Sequence, residues 1–254
     1  LFRSRCLAAL GLTLLVMGNM QWPEMPRGLL VQTLISGALG IALADTLYFR
    51  ALNAIGAARM GVIGTAYSPG VILLAAFFLG ERLSLLQFGG VALTISGIVL
   101  VTYTRTGAAI DAAVLRQGVF LGVLSVALMA AGVVLAKPAL ESQDFLWIVF
   151  LRVAAGVALM LGIATVRHEW AALFAACREV RHWGAIIGGS LMGSYVALLF
   201  WLAGYKHAEA SIAAVINELS AIFIMGLAAW LLHERISRRQ IAGGTLALSG
   251  VLLV

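Results

Sequence analysis

Two acidic residues lie inside long apolar stretches of the sequence. Glu218 is near the middle of residues 208–232, and Asp45 is about four-fifths of the way along residues 29–49. A charged side chain at the centre of a bilayer costs roughly 2.5–3.5 kcal/mol on insertion scales, and such residues commonly mark substrate or ion pathways. Each carboxylate could bind the ammonium group of a solute or carry a proton. Both residues are therefore candidates for a functional site.

The sequence around Glu218 favours a position inside a helix bundle. Small and weakly polar residues share its helical face, and Asn217 precedes it. Besides solute binding or proton transfer, the sequence allows a structural role, in which Glu218 pairs with Lys137 or Arg152 and fixes helix packing.

Asp45 has two interpretations of equal weight. It could line the mouth of a cavity or take part in proton exchange. Alternatively, it could accept hydrogen bonds at the membrane interface, or pair with Arg50 or Arg59.

A second group of polar residues lies on one helical face of residues 55–79. Gly61, Gly64, Thr65 and Ser68 share this face, and the proline after Ser68 removes one backbone hydrogen bond and frees a carbonyl near Thr65. The group could form a kink whose open backbone lines a cavity. A tolerated proline kink with close glycine packing is the alternative.

Aromatic side chains complete the candidate set. Tyr48, Tyr67 and Trp201 could gate a pathway or stack on a solute, or could serve as core and interface anchors. The predicted substrate-binding residues are Glu218, Asn217, Asp45, Thr65, Ser68, Tyr48 and Trp201.

The composition indicates which environment must position these residues. Of the 254 residues, 62% are hydrophobic and 11% are charged, and the mean hydropathy is +1.03, whereas soluble domains are nearer half apolar and a quarter charged. The bilayer must therefore be the solvent for most of the surface. The net charge of +6 is spread thinly between apolar stretches, which is typical of topology-setting loops and not of nucleic-acid binding. Cys6 and Cys177 form no metal or redox motif, and no cofactor is predicted.

Nine apolar stretches approach or reach the length of about 20 residues that a membrane helix needs. They are continuous rather than alternating, which favours helices over a β-barrel. The predicted fold is an all-α integral membrane protein, with helices at residues 6–20, 29–49, 55–79, 85–103, 118–136, 145–166, 183–204, 208–232 and 240–254.

An internal repeat relates the two halves at an offset of 153 residues. Residues 81–84 (ERLS) recur as residues 234–237 (ERIS), since 234 − 81 = 153, and Gly97 matches Gly250 at the same offset. The stretch 118–136 opens the second repeat, and its counterpart would lie before residue 1. We therefore predict two five-helix repeats, ten helices in the parent protein and about nine here. The domains are a first repeat without its first helix at 1–104, a linker at 105–117 and a second repeat at 118–254.

An odd number of helices per repeat inverts the second repeat in the membrane, an arrangement typical of secondary transporters. The repeats agree at packing positions but differ at the two acids, because Glu218 corresponds to Thr65 and Asp45 to Leu198. A site for an asymmetric solute need not be symmetric, which favours a functional role for both acids.

Two pairs of glycines have the GxxxG spacing that favours close helix contact. They are Gly118 with Gly122 and Gly189 with Gly193. We expect both pairs to pack against neighbouring helices.

The sequence resembles the EamA-type branch of the drug/metabolite transporter superfamily along essentially its whole length. The resemblance rests on residues 44–52 (ADTLYFRAL), Ser68-Pro69, 79–83 (LGERL) and 97–100 (GIVL), and on the second-half residues 232–235 (LHER) and 249–252 (SGVL). One departure is Ile222, which stands where the repeat would place a second proline. The helix that contains Ile222 is therefore expected to be straighter than its counterpart.

The resemblance implies ten helices around a central cavity, with export or exchange of small polar metabolites such as amino acids, nucleosides or amines by alternating access. The expected partners are the lipid bilayer and a small solute, with a proton gradient, exchange or facilitation as the drive, and the expected location is the inner cell membrane. Two alternatives are a non-transporting membrane scaffold and an intramembrane enzyme. The sequence has no P-loop, so drive by ATP within this chain is not predicted. It has no GxSxG and no HExxH motif, so an enzyme is not predicted.

The distribution of basic residues predicts the orientation of the chain in the membrane. Twelve of the 17 Lys and Arg residues fall on one side of the membrane when sides alternate at each predicted span. The positive-inside rule makes that side cytoplasmic, which would place both termini of the ten-helix parent outside. The family resemblance instead implies termini inside, and both orientations stay open.

Overall fold

The computed structural model describes residues 24–79, 84–102, 111–168, 183–208, 210–217 and 238–253, with the single positions Gly11, Trp170, Leu227 and Trp230. All regular structure in these ranges is helical. The elements are α1 (Arg27–Gly37), the first π segment (Ala38–Leu43), α2 (Ala44–Ile55), α3 (Ala57–Gly64), α4 (Tyr67–Leu79), α5 (Leu85–Thr102), α6 (Ala112–Ser142), α7 (Phe145–Val166), α8 (Trp183–Ser190), the second π segment (Leu191–Val196), α9 (Ala197–His207), α10 (Ala210–Asn217) and α11 (Arg238–Leu252).

Five helical stretches in the described residues are long and apolar enough to cross a membrane. They contain between 20 and 31 residues, and at a rise of about 1.5 Å per residue even the shortest matches the roughly 30 Å hydrocarbon core. The stretches are Arg27–Ile55, Arg59–Phe78, Ala112–Ser142, Phe145–Val166 and Ile187–His207. The prediction of an all-α integral membrane protein is confirmed. The predicted helix at 6–20 lies outside the described residues, as does most of the one at 208–232.

Large apolar side chains are exposed on several of the described helices. Phe77 is 82% exposed, Leu85 is 91% exposed and Phe200 is 76% exposed. In water such surfaces would drive association, but in a bilayer lipid tails are as apolar as the side chains they touch. The exposure therefore agrees with the composition, which requires a lipid environment.

Two helices continue six residues past their predicted C-terminal ends, and the second of them also begins six residues before its predicted start, at Ala112. The helix expected to end at residue 49 continues to Ile55, so that Arg50 is helical, and it stops at Gly56, whose φ of +84° is a conformation that only glycine adopts without a Cβ penalty. The helix expected to end at residue 136 continues to Ser142 through Pro138. Membrane helices tolerate an internal proline when neighbouring groups satisfy the freed backbone.

The predicted kink before Pro69 is a break between two helices. The N–H groups of Thr65 and Ala66 donate to the carbonyls of Val62 and Ile63, three residues back and both at 3.1 Å, and α4 begins at Tyr67. Pro69 is thus the third residue of α4, a position where an N–H has no partner within the helix.

The described residues fall into two compact units, each taken from both halves of the chain. The first unit comprises Leu1–Ala42 and Leu135–His207, and the second comprises Leu43–Val134 and Ala208–Val254. In the first unit α1 packs against α7 with close backbone approach: a Cβ added to Gly37 would overlap the carbonyl oxygen of Arg152, and one added to Gly156 would lie 2.8 Å from Ile41.

In the second unit α5 packs along α11, and these two helices are repeat equivalents. A Cβ added to Gly97 would lie 2.5 Å from the Gly243 carbonyl oxygen, and one added to Gly250 would lie 2.5 Å from the Gly90 carbonyl oxygen. Since 243 − 90 and 250 − 97 both equal 153, the two glycines make the same contact from opposite sides. The backbones can approach this closely only because neither glycine has a side chain.

The two GxxxG pairs behave differently. Gly122 faces Met60 and Ile63, where an added Cβ would lie 3.1 Å and 3.3 Å away, and an added Cβ at Gly118 would overlap Ile55. Close packing is therefore confirmed for this pair. An added Cβ at Gly189 or Gly193 would meet no described atom within 4 Å, and close packing of this pair stays a prediction.

Candidate functional site

Asp45 is buried inside a membrane span. It is in the first turn of α2, immediately after the first π segment, ten residues before the helix ends at Ile55, and it is 6% exposed. The sequence placed it nearer to a helix end. The only charged residue beside it on α2 is Arg50, which is exposed.

Tyr48 lies one helical turn after Asp45, so that the two side chains share one side of α2. It is half-buried, and its ring packs edge-to-face on Phe49 with centroids 5.7 Å apart. α2 therefore presents a carboxylate and a phenol together.

Thr65 and Ser68 flank the break between α3 and α4, and both are buried, at 1% and 0% exposure. The Thr65 hydroxyl donates to the Val62 carbonyl at 2.7 Å, and the same carbonyl also accepts the Thr65 N–H at 3.1 Å. The break thus combines irregular backbone with buried hydroxyls, as the sequence predicted. Its two interpretations, a cavity lining or close packing, are both compatible with this geometry.

Asn217 is the last residue of α10 and is half-buried. α10 packs against α4, the helix that carries Ser68. The second unit thus contains Asp45, Tyr48, Thr65, Ser68 and Asn217. Glu218, the next residue in the chain, lies outside the described residues.

Trp201 belongs to the first unit. It is half-buried in α9, and its ring packs edge-to-face on Tyr205 with centroids 5.5 Å apart. Its repeat equivalent is Tyr48, since 201 − 48 = 153, and an aromatic ring therefore occupies this position in both repeats.

Three other buried hydroxyl groups donate within their own helices. Thr33 donates to the Leu29 carbonyl at 2.8 Å, Ser36 donates to Thr33 at 2.7 Å, and Ser125 donates to Gly122 at 2.7 Å. Such bonds to carbonyls three or four residues back are usual for hydroxyls in apolar helices.

Three buried cations were not included among the predicted site residues. Arg59 is 7% exposed and donates to the Ile55 carbonyl at 3.3 Å, Arg152 is 1% exposed, and Lys137 is 7% exposed. The sequence singled out Lys137 and Arg152 only as possible partners of Glu218.

Lys137 joins two helix ends in the first unit. Its Nζ donates to the Tyr205 carbonyl at 3.0 Å and forms an ion pair with Glu141, one turn further along α6. Tyr205 is in the last turn of α9, where carbonyls lack intrahelical donors. The Lys-Glu spacing of four residues could have indicated this pair from the sequence, but the contact with α9 depends on tertiary structure.

The described residues contain no group of three or more His, Cys, Asp or Glu side chains that could hold a metal ion.

The comparisons with known proteins define the class of this chain. The model described as "EamA-like transporter family" matches residues 2–103 and 116–254. The chain belongs to the EamA-like transporter family, which is part of the drug/metabolite transporter superfamily. The members of this family are transporters, and the chain is a multi-pass membrane protein.

A solved structure has the same fold. It is described only as "Crystal structure of protein", and it aligns with a TM-score of 0.65 at 16% identity, covering 99% of this chain and 86% of that chain. At this identity the likeness shows the fold alone. No curated protein matches the chain.

Proposed function

We propose that this chain is a secondary transporter of the inner cell membrane that exports or exchanges small metabolites. Amino acids, nucleosides and amines are the candidate solutes, and the mechanism is alternating access around a central cavity. Family membership supports transport of a small solute across a bilayer. The solute class and the mechanism are our own proposals.

One observation carries the proposed site: Asp45, a carboxylate, is 6% exposed within a 29-residue apolar helix. Acidic residues within membrane segments commonly face the bundle interior or a water-filled cavity and mark substrate or ion pathways. A carboxylate complements an ammonium group, so solutes that carry an amine fit this site best. Asp45 and Tyr48 contact the solute in our proposal, together with Thr65, Ser68, Asn217, Glu218 and Trp201.

In our proposal Asp45 and Glu218 have different roles in the transport cycle. Asp45 binds the cationic end of the solute, whereas Glu218 binds the solute or carries a proton. Their repeat equivalents Leu198 and Thr65 are uncharged, so the site is asymmetric, as an asymmetric solute requires.

The proposal is tested by uptake into proteoliposomes of a labelled panel of amino acids, nucleosides and amines, with and without a pH gradient. We expect saturable uptake of at least one solute above protein-free liposomes. Accumulation that needs the gradient and is lost in Glu218→Gln would support the proton-carrying role. A protein that is folded by circular dichroism and moves no member of the panel under either condition would contradict the proposed solute class.

A further inference from the structure

A π-helical segment of six residues occurs at the same position of each repeat. The segments are Ala38–Leu43 and Leu191–Val196, and 191 − 38 and 196 − 43 both equal 153. In the second segment the N–H of Ala197 donates to the carbonyl of Met192, five residues back. Fewer than about 1% of residues in proteins are π-helical, and π turns are frequent at functional sites.

The two segments share geometry without sharing sequence. Their residues are ALGIAL and LMGSYV, which coincide only at Gly40 and Gly193. The helices that follow, α2 and α9, begin at equivalent residues, Ala44 and Ala197. A geometry that persists while the side chains differ indicates a requirement on the backbone itself.

The first segment also lies where the chain passes between the two compact units. The chain makes three such passages. The first follows Ala42 and lies inside the first π segment, the second follows Val134, and the third follows His207, where α9 ends. Val134 is the residue whose carbonyl would accept a hydrogen bond from residue 138, and Pro138 has no N–H to donate. All three passages therefore coincide with an interruption of the α-helical hydrogen-bond ladder.

We propose that the two π segments are a matched pair of hinges, at which each repeat bends one of its membrane helices during the transport cycle. This inference rests on the proposed transport function. A π turn contains one residue more than an α turn, so hydrogen bonds can shift between four-residue and five-residue spacing without exposing a backbone group. Bending at the first segment moves Asp45, which is two residues beyond it, and bending at the second moves Trp201, which is five residues beyond it.

Deletion of a single residue tests this hinge directly. Removing Leu39 or Met192 converts a π segment into ordinary α-helix and leaves the helices on both sides in their original rotational register. The matched control is deletion of Ala154 from the uninterrupted helix α7, which rotates everything beyond it by about 100°. We expect the first two variants to keep the wild-type helical content and detergent stability, and the control to lose stability.

The functional readout is uptake of the solute that the wild-type chain transports. We expect each π deletion to lower the initial rate by about tenfold or more in a folded protein. A folded deletion variant that transports within about twofold of wild type overturns the hinge. If the wild-type chain itself transports nothing in the panel, the proposed function fails, and the hinge is judged by hydrogen exchange alone.

Hydrogen–deuterium exchange of the wild-type protein in detergent gives that second, independent measurement. Hinges open more often than the helices beside them, so we expect faster exchange in peptides that cover residues 38–43 and 191–196 than in peptides from α2 and α7. Equal protection in the segments and in these helices overturns the proposal, even where a deletion variant fails to fold.

Discussion

The hydroxyl of Thr94 donates a hydrogen bond to the carbonyl oxygen of Ala247 at 3.2 Å, and the two residues are 153 positions apart. This spacing is the offset of the internal repeat, so α5 and α11 cross where equivalent residues of the two repeats meet. Gly97 and Gly250, also equivalent, lie on either side of this point with the backbones in close approach. The symmetry of the repeat is thus expressed as a direct contact in the second unit.

Replacement of Gly97 by alanine should destabilise this crossing. The added Cβ would lie 2.5 Å from the Gly243 carbonyl oxygen and 2.7 Å from the Ala247 nitrogen, both backbone atoms that move only if a helix moves. We expect a loss of about 1–3 kcal/mol, which is typical of overpacking, in the free energy of unfolding measured in mixed micelles. The control is Gly89→Ala, where an added Cβ meets nothing within 4 Å. Equal stability of the two variants would be evidence against the close crossing.

Thr94→Val should have a smaller effect, since it changes the shape little and removes only the hydroxyl. That hydroxyl also contacts the Gly90 carbonyl at 3.0 Å, and hydrogen bonds between membrane helices average about 0.6 kcal/mol, with a maximum near 1.7. We expect a loss in this range. Thr245→Val is the control, because the Thr245 hydroxyl is exposed and donates within its own helix. An unchanged free energy of unfolding in Thr94→Val would show that this hydrogen bond between the repeats contributes no stability.

Lys137→Met should destabilise the first unit through the end of α9. The variant leaves the buried Tyr205 carbonyl without this donor, and an unsatisfied buried group costs about 1–3 kcal/mol. Glu141→Gln removes the charge of a side chain that is 52% exposed, and we expect a loss below about 1 kcal/mol. Thermal unfolding of both variants tests whether Lys137→Met loses more stability than Glu141→Gln. A larger loss in the glutamate variant would mean that the ion pair, and not the helix end, is the important contact.

Much of the fold could be predicted from the sequence, because apolar runs and a repeat offset are properties of the chain itself. The offset of 153 residues predicted the equivalence of Gly97 and Gly250, and the spacing of Gly118 and Gly122 predicted their close packing. These features depend on residue type and spacing alone.

The remaining features depend on tertiary structure. The π segments have no local signature, since ALGIAL and LMGSYV are ordinary apolar helix sequences. A helix that passes through Pro138 requires neighbours that satisfy the freed backbone, and the bond from Lys137 to Tyr205 joins residues 68 positions apart. A single sequence contains no information about which of its distant segments meet.

The most direct test of a transport site at Asp45 is uptake by Asp45→Asn in proteoliposomes, measured with the solute that the wild-type chain transports. The control is Asp111→Asn, because Asp111 is exposed and its carboxylate accepts a bond from the Ala113 N–H that an asparagine side chain can also accept. We predict that Asp45→Asn lowers the initial rate by about tenfold or more in a folded protein, while Asp111→Asn stays within about twofold of wild type. Wild-type uptake by a folded Asp45→Asn protein would contradict the account.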